Sequence, residues 1–303
     1  MTDIFYINRQ TGKEEVEKVY KGKAVELFYG DSSLSHYLHK WLLPVLAKKK
    51  WLSRLYGYLQ KRPSSRKKIA PFIKEFGLDS SEFLDPVSAY RSFNAFFIRK
   101  LKPEARPINS DPCRAVIPAD GRYYFYADID TCPGFIVKGE KFTLDTLLGS
   151  TSLASEFQGG SMVLARLCPT DYHRFHFPCD CQPGLTHLIN GWLYSVNPLA
   201  VKKNIQIFAQ NKRTLCELRT PLFGRIIYME IGATSVGSIQ ETYTANEWQP
   251  KGGEKGYFEF GGSSLILLFA KNTIQLDADL LAATERGLEI RCLLGQSMGR
   301  ALS

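Results

Sequence analysis

No stretch of this chain is long and apolar enough to cross a bilayer: the run from Leu265 to Ala270 has only the length of a strand. The first residues lack the apolar core of a secretory signal, so residence on the cytoplasmic side is expected. Cysteines are few, scattered and odd in number, at seven. That argues against a disulfide framework and for a reducing compartment. No internal repeat, low-complexity tract or nucleic-acid recognition module is present, so no nucleic acid partner is expected. Acidic residues are missing from one long window. Between Lys40 and Lys74 stand Lys40, Lys48, Lys49, Lys50, Arg54, Lys61, Arg62, Arg66, Lys67, Lys68 and Lys74, with no Asp or Glu among them. These cations exceed the net charge of +9 carried by all 303 residues, so the rest of the chain is slightly acidic. The basicity is local and implies an anionic partner surface.

The same window is amphipathic. Leu34, Leu38, Trp41, Leu42 and Val45 recur at helical spacing, interrupted by Pro44, and Trp51, Leu52, Leu55, Tyr58 and Leu59 repeat the pattern. Cations beside interfacial aromatics suit a helix lying on an anionic membrane surface. The competing reading is a helical subdomain whose Trp and Leu face a core. A short strand or hairpin is expected before this region. Asp79, with Glu82 three residues on, is expected to open a further helix.

After Pro103 short apolar runs alternate with Gly, Pro, Asp and Asn. Arg114 to Pro118, Met162 to Leu167, Arg225 to Ile231 and Leu265 to Phe269 read as strands. The expected fold class is α+β: a helical, basic N-terminal region, 1–100, followed by a largely antiparallel β-rich catalytic core, 101–303.

Three segments of the β-rich part have chemical potential. Pro118-Ala119-Asp120-Gly121 places a carboxylate in a turn. Asp171-Tyr172-His173-Arg174-Phe175-His176 places two of the five histidines three apart. In a strand such residues face opposite sides, and in a helical turn they share a face. Phe260-Gly261-Gly262-Ser263-Ser264 places a hydroxyl directly after two glycines, where backbone strain is tolerated. Asp, His and Ser of these segments could assemble a triad, with the imidazole taking the serine proton. Taken singly, each is an ordinary turn or core residue. His173, His176, Cys179 and Cys181 cluster, but their spacing fits no common zinc pattern, and no metal is expected.

Together these segments resemble the phosphatidylserine decarboxylases, a family of self-processing, pyruvoyl-dependent membrane enzymes. The resemblance runs from Phe93 to the C-terminus. It rests on Phe96-Phe97-Ile98-Arg99, Arg106-Pro107-Ile108, Pro118 to Gly121 and Asp171 to His176. It continues through Tyr194 to Asn197, Asn211 to Arg213, Gly232 to Ser238 and Gly256 to Ser264. Many bacterial members carry Leu-Gly-Ser-Thr at the processing site, where this chain has Gly-Gly-Ser-Ser like another branch.

The resemblance implies that Asp120, His176 and Ser263 drive self-cleavage at the Gly262–Ser263 bond. A β chain, 1–262, and an α chain, 263–303, would then form a heterodimer, with further dimerisation left open. Ser263 would become the covalent pyruvoyl cofactor, which forms a Schiff base with the amine of phosphatidylserine. Carbon dioxide would leave to give phosphatidylethanolamine. His173 would return the proton. A peripheral place on the cytoplasmic side of the cell membrane follows. Two other enzyme classes remain: a soluble pyruvoyl-dependent amino-acid decarboxylase, and an Asp-His-Ser triad hydrolase that keeps Ser263 intact. A non-enzymatic membrane-binding module would explain the basic window but none of the downstream motifs.

Overall fold

The structure, a computed structural model, describes residues 4–17, 50–131, 136–137, 140–141, 143–192, 194, 207–232, 239–261 and 263–302. The first helical repeat, Leu34 to Val45, lies outside them, as do Lys40, Lys48 and Lys49, the side chains of Trp51 and Leu52, and Gly262.

Strands are β1 Phe5–Asn8, β2 Lys13–Val16, β3 Arg114–Val116, β4 Gly121–Tyr126, β5 Ile136–Val137, β6 Glu140–Lys141, β7 Ser161–Leu167, β8 Arg174–His176 and β9 Gln182–Pro183. They continue with β10 His187–Ile189, β11 Arg213–Arg219, β12 Arg225–Gly232, β13 Ile239–Glu241, β14 Glu254–Phe258, β15 Ser263–Phe269, β16 Ile274–Leu276, β17 Glu289–Cys292 and β18 Ser297–Ala301. Helices are α1 Lys50–Lys61, α2 Ile69–Phe76, α3 Phe93–Phe97, α4 Leu144–Leu148, α5 Thr151–Glu156, α6 Ile207–Gln210 and α7 Ala278–Glu285.

The main sheet runs β10-β11-β12-β15-β7-β4-β17-β1-β2 and is antiparallel except where β1 joins β17. The architecture is therefore α+β with a largely antiparallel core. β15 is central, and all seven of its residues are buried between β12 and β7. An unbroken apolar run suits a strand covered on both faces. Side chains alternate, so Leu265, Leu267 and Phe269 enter one core layer with Val163, Ala165 and Tyr228. Ile266 and Leu268 enter the other, covered by Leu147 of α4, Phe157 and Phe208 of α6.

The expected hairpin before the basic window is β1–β2, and it is stitched to the main sheet through β17. Helical elements dominate from residue 50 to 97 and strands from residue 114 onward. The helix expected from Asp79 is a single 3-10 turn, Ser80–Glu82. Asp79 does cap it, accepting from Ser81 N, but Glu82 turns away to pair with Arg106, and Pro86 follows too soon for a longer helix. A third core forms a helical cap: Ile69, Phe72, Phe83, Tyr90, Phe93, Phe96 and Phe97 close around Phe260, which comes from the segment between β14 and β15.

The small sheet β13-β14-β8 is tied to the main sheet by a buried charge pair. Lys255 of β14 meets Glu230 of β12 at 2.6 Å, both fully buried. Against burial, which works to lower it, Glu230 holds the Lys255 pKa above its ordinary value. Lys255→Met should leave a buried carboxylate without its cation and cost about 3–5 kcal/mol in urea unfolding. Lys255→Met with Glu230→Gln should recover most of that loss. A single variant as stable as the wild type would show that the pair does not hold the two sheets together.

Candidate active site

Ser263 is the first residue of β15 and opens the central strand with its Cα opposite Gly232 on one side and Leu167 on the other. It is fully buried. The segment before it, residues 259–261, belongs to no strand. Gly261 takes φ +154°, a conformation that L side chains rarely adopt. The glycine pair is thus used for its backbone freedom at least at its first member.

His173 faces Ser263. The serine hydroxyl lies 3.3 Å from His173 Nδ1, while Nε2 lies 2.9 Å from the Cys168 carbonyl. A carbonyl only accepts, so Nε2 carries the proton and Nδ1 presents its lone pair to the hydroxyl. The ring stacks on Phe97 with centroids 3.8 Å apart. His173 is fully buried, and burial drives its pKa down to about 3, against the attraction of Asp171. That carboxylate is largely spent elsewhere: it receives Arg122 Nη1 at 2.9 and 3.0 Å and Cys168 N at 2.8 Å.

His176 ends β8 and turns elsewhere, as the extended backbone from residue 174 requires. Its Nδ1 donates to Gly252 O at 2.9 Å, which leaves Nε2 with a lone pair. That Nε2 is buried and has no hydrogen-bond partner among the described residues. Burial lowers its pKa also.

Asp120 sits directly before β4, in a turn fastened to the histidine segment because His176 N donates to Pro118 O at 2.8 Å. Its carboxylate is buried and receives Arg106 Nε at 2.9 and 3.0 Å, Arg106 Nη2 at 2.6 Å and Leu294 N at 2.9 Å. Ser263 and His173 are therefore in contact, and Asp120 and His176 share one neighbourhood. Among the described residues no hydrogen bond joins Asp120 to His176, or His176 to Ser263. Arg106, Arg122 and Phe97 support the site, yet sequence spacing carries no sign of these roles. Arg106 and Phe97 stand in motifs already noted, but only long-range packing shows what they touch.

Chemically, a hydroxyl with an imidazole lone pair beside it is equipped for acyl transfer. With Ser263 buried behind a glycine pair, the acyl group within easiest reach belongs to the chain itself. The site thus defines a candidate self-processing protein. A model of the phosphatidylserine decarboxylase family matches residues 93–300. A phosphatidylserine decarboxylase proenzyme of Chlamydia felis is 48% identical over 302 residues, covering 100% of this chain and 99% of that protein. Proenzymes of the same name from Chlamydia pneumoniae and Chlamydia trachomatis serovar L2 are 46% and 40% identical. They cover 98% and 99% of this chain, and 97% and 98% of their own lengths, respectively. The chain belongs to the phosphatidylserine decarboxylase family.

The depressed His173 pKa predicts an acid-sensitive fold. The folded imidazole binds its proton only near pH 3, the unfolded one near about 6.5. Between these values the unfolded chain holds the extra proton, so stability falls as pH drops through that window. In a Ser263→Ala background, His173→Gln should flatten the decline of the urea midpoint between pH 7 and pH 4. An unchanged slope would mean that His173 titrates normally in the fold.

Proposed function

We propose that this chain is a self-cleaving decarboxylase proenzyme that converts phosphatidylserine to phosphatidylethanolamine. The observation that carries the reading is Ser263 itself: a fully buried hydroxyl at the start of the central strand, after a glycine pair, with an imidazole lone pair at 3.3 Å. An Asp-His-Ser triad hydrolase needs its serine open to an outside substrate, and Ser263 is fully buried.

In this reading the Ser263 hydroxyl attacks the Gly262 carbonyl, and an ester replaces the peptide bond. Elimination across the Ser263 Cα–Cβ bond releases the Gly262 carboxylate and leaves dehydroalanine, which loses ammonia on hydration. The chains 1–262 and 263–303 result. The residues present suit a pyruvoyl group at position 263, because His173 already faces that side chain with a free Nδ1 lone pair in a buried setting. Such a group supplies an electrophilic carbonyl for a primary amine and a sink for the electron pair left when carbon dioxide departs. We assign the Ser263 proton to His176 with Asp120, and the return of a proton during turnover to His173. The His176 Nε2 lone pair, which has no partner among the described residues, and the turn that fastens Asp120 to His176 support this. The Ser263–His173 contact favours a second reading, in which His173 itself takes the hydroxyl proton.

One gel separates them. Ser263→Ala should remain one full-length chain without decarboxylase activity. Loss of a general base typically costs about 10²–10⁴-fold. His176→Ala and Asp120→Ala should accumulate as precursor, while His173→Ala should cleave and then release carbon dioxide poorly. A cleaved His176→Ala beside an uncleaved His173→Ala would transfer the base role to His173. Normal cleavage of Ser263→Ala at the same bond would end the whole scheme.

The N-terminal region, 1–100, is the proposed membrane contact. Among the described residues no helix is long and apolar enough to cross a membrane. Leu55, Tyr58 and Leu59 of α1 are exposed at 48%, 60% and 42%, three and four residues apart, inside the basic window. That stripe among cations supports peripheral docking on an anionic surface, and we place that surface on the cytoplasmic side. Binding to phosphatidylserine-containing vesicles should weaken with salt, since screening acts over about 8 Å at physiological ionic strength. Reversing Lys48, Lys49 and Lys50 should weaken it further. Salt-independent binding to neutral and anionic vesicles alike would mean these lysines are only solvated.

A further inference from the structure

The segment that carries the cleavage bond is held at three places. Upstream, Phe258 N donates to the His173 carbonyl at 2.9 Å, where β14 ends. Downstream, Ser263 enters the sheet between Gly232 and Leu167. Between them Phe260 lies outside every strand, so no ladder partner can satisfy its backbone N–H. That amide instead donates to Asn94 Oδ1 of α3 at 2.9 Å, in a buried contact. Asn94 is 6% exposed.

A chain of contacts links the residues on either side of Gly262. The Phe260 ring packs on Phe97 at 4.9 Å, Phe97 stacks on His173 at 3.8 Å, and His173 reaches Ser263 at 3.3 Å. Asn94 and Phe97 share the same short helix, so α3 grips both the peptide before the cleavage bond and the imidazole beside the nucleophile. The grip extends outward. Ser65 Oγ accepts from Phe93 N at 2.9 Å and donates at the C-terminal end of α1, where the Gln60 and Arg62 carbonyls lie at 2.8 and 2.6 Å.

We propose that Asn94 is a positioning residue for self-cleavage: its side-chain oxygen fixes the Phe260 amide and so sets the approach of the Gly262 carbonyl to the Ser263 hydroxyl. The proposal rests on the self-cleavage reading above. An intramolecular attack depends steeply on alignment, so a freed Phe260 amide should slow cleavage while leaving the nucleophile intact. Asn94 touches neither Ser263 nor His173 through a hydrogen bond, so its effect is on geometry and not on proton transfer.

The test is the rate at which newly synthesised full-length chain converts to its two products in cell-free translation. Asn94→Leu keeps the volume and removes the acceptor. It should lengthen the half-time by about tenfold to a hundredfold. Asn94→Asp restores an acceptor oxygen and should cleave much faster than the Leu variant. Ser92→Ala removes the N-cap of the same helix, whose hydroxyl accepts from Ala95 N at 3.1 Å, without touching Phe260. It should cleave at close to the wild-type rate. Equal slowing by Ser92→Ala and Asn94→Leu would reduce Asn94 to a structural residue and overturn the proposal. So would cleavage of Asn94→Leu at the wild-type rate. If melting shows that the Leu variant does not fold, Asn94→Asp decides: near-normal cleavage upholds the proposal, and slowing of about tenfold or more overturns it. A wild-type chain that never cleaves would instead remove the self-cleavage reading itself.

Discussion

Everything at this site depends on burying β15 along both edges and both faces. A strand so placed delivers its first residue, Ser263, to a fixed point with no freedom to retreat. The cost falls on the polar groups carried inside with it. A buried hydroxyl needs an acceptor, and His173 Nδ1 provides one. The same desolvation keeps the imidazole neutral, which leaves its lone pair available but makes it a weak base. Burial therefore sets the Ser263 hydroxyl against an imidazole lone pair and keeps that imidazole a weak base at the same time.

Charge balance around the histidines follows from the same constraint. The nearby carboxylates are all met by guanidinium groups, some of them shared: Asp120 takes Arg106, Asp171 takes Arg122, Glu289 takes Arg166, and Glu17 bridges Arg122 and Arg166. Against burial, Arg122 keeps the Asp171 carboxyl below its ordinary pKa range. Because that charge is paired, its pull on His173 is too small to offset burial, and desolvation decides the protonation state. The pairs also reach far along the chain. Glu17 follows the first hairpin, and Glu289 begins β17, so the ends of the chain contribute to the shell around the motif at 171–176.

The helical cap brings together segments that the sequence places far apart. Its core closes around Phe260 and Phe97, beside the segment that leads into Ser263. Its outer helix, α1, presents Leu55, Tyr58 and Leu59 to the exterior among lysines and arginines. Lys61 at the end of α1 pairs with Glu259 at 2.6 Å, next to Phe260. The face proposed to meet lipid is thus joined by an ion pair to the segment proposed to be cleaved.

By itself the sequence determined the pattern of burial and singled out the groups proposed to react. Unbroken apolar runs such as Leu265 to Phe269 have no solution but a strand covered on both faces, and Asp120, His173, His176 and Ser263 stood out because their motifs occur together. The hairpin before the basic window was also legible, since its pattern is local. Capping at Asp79 was legible too, but not the helix length, because Glu82 is drawn to Arg106 by a contact 24 residues away. Only the tertiary structure decided which histidine meets Ser263. Two histidines three apart on extended backbone diverge, and whether one or the other faces the serine depends on where β8 docks against β14 and on the aromatic wall that Phe97 raises behind His173. The arginine partners of Asp120 and Asp171 were equally beyond the sequence, because a carboxylate's neighbours are chosen by packing between distant segments and leave no periodicity behind.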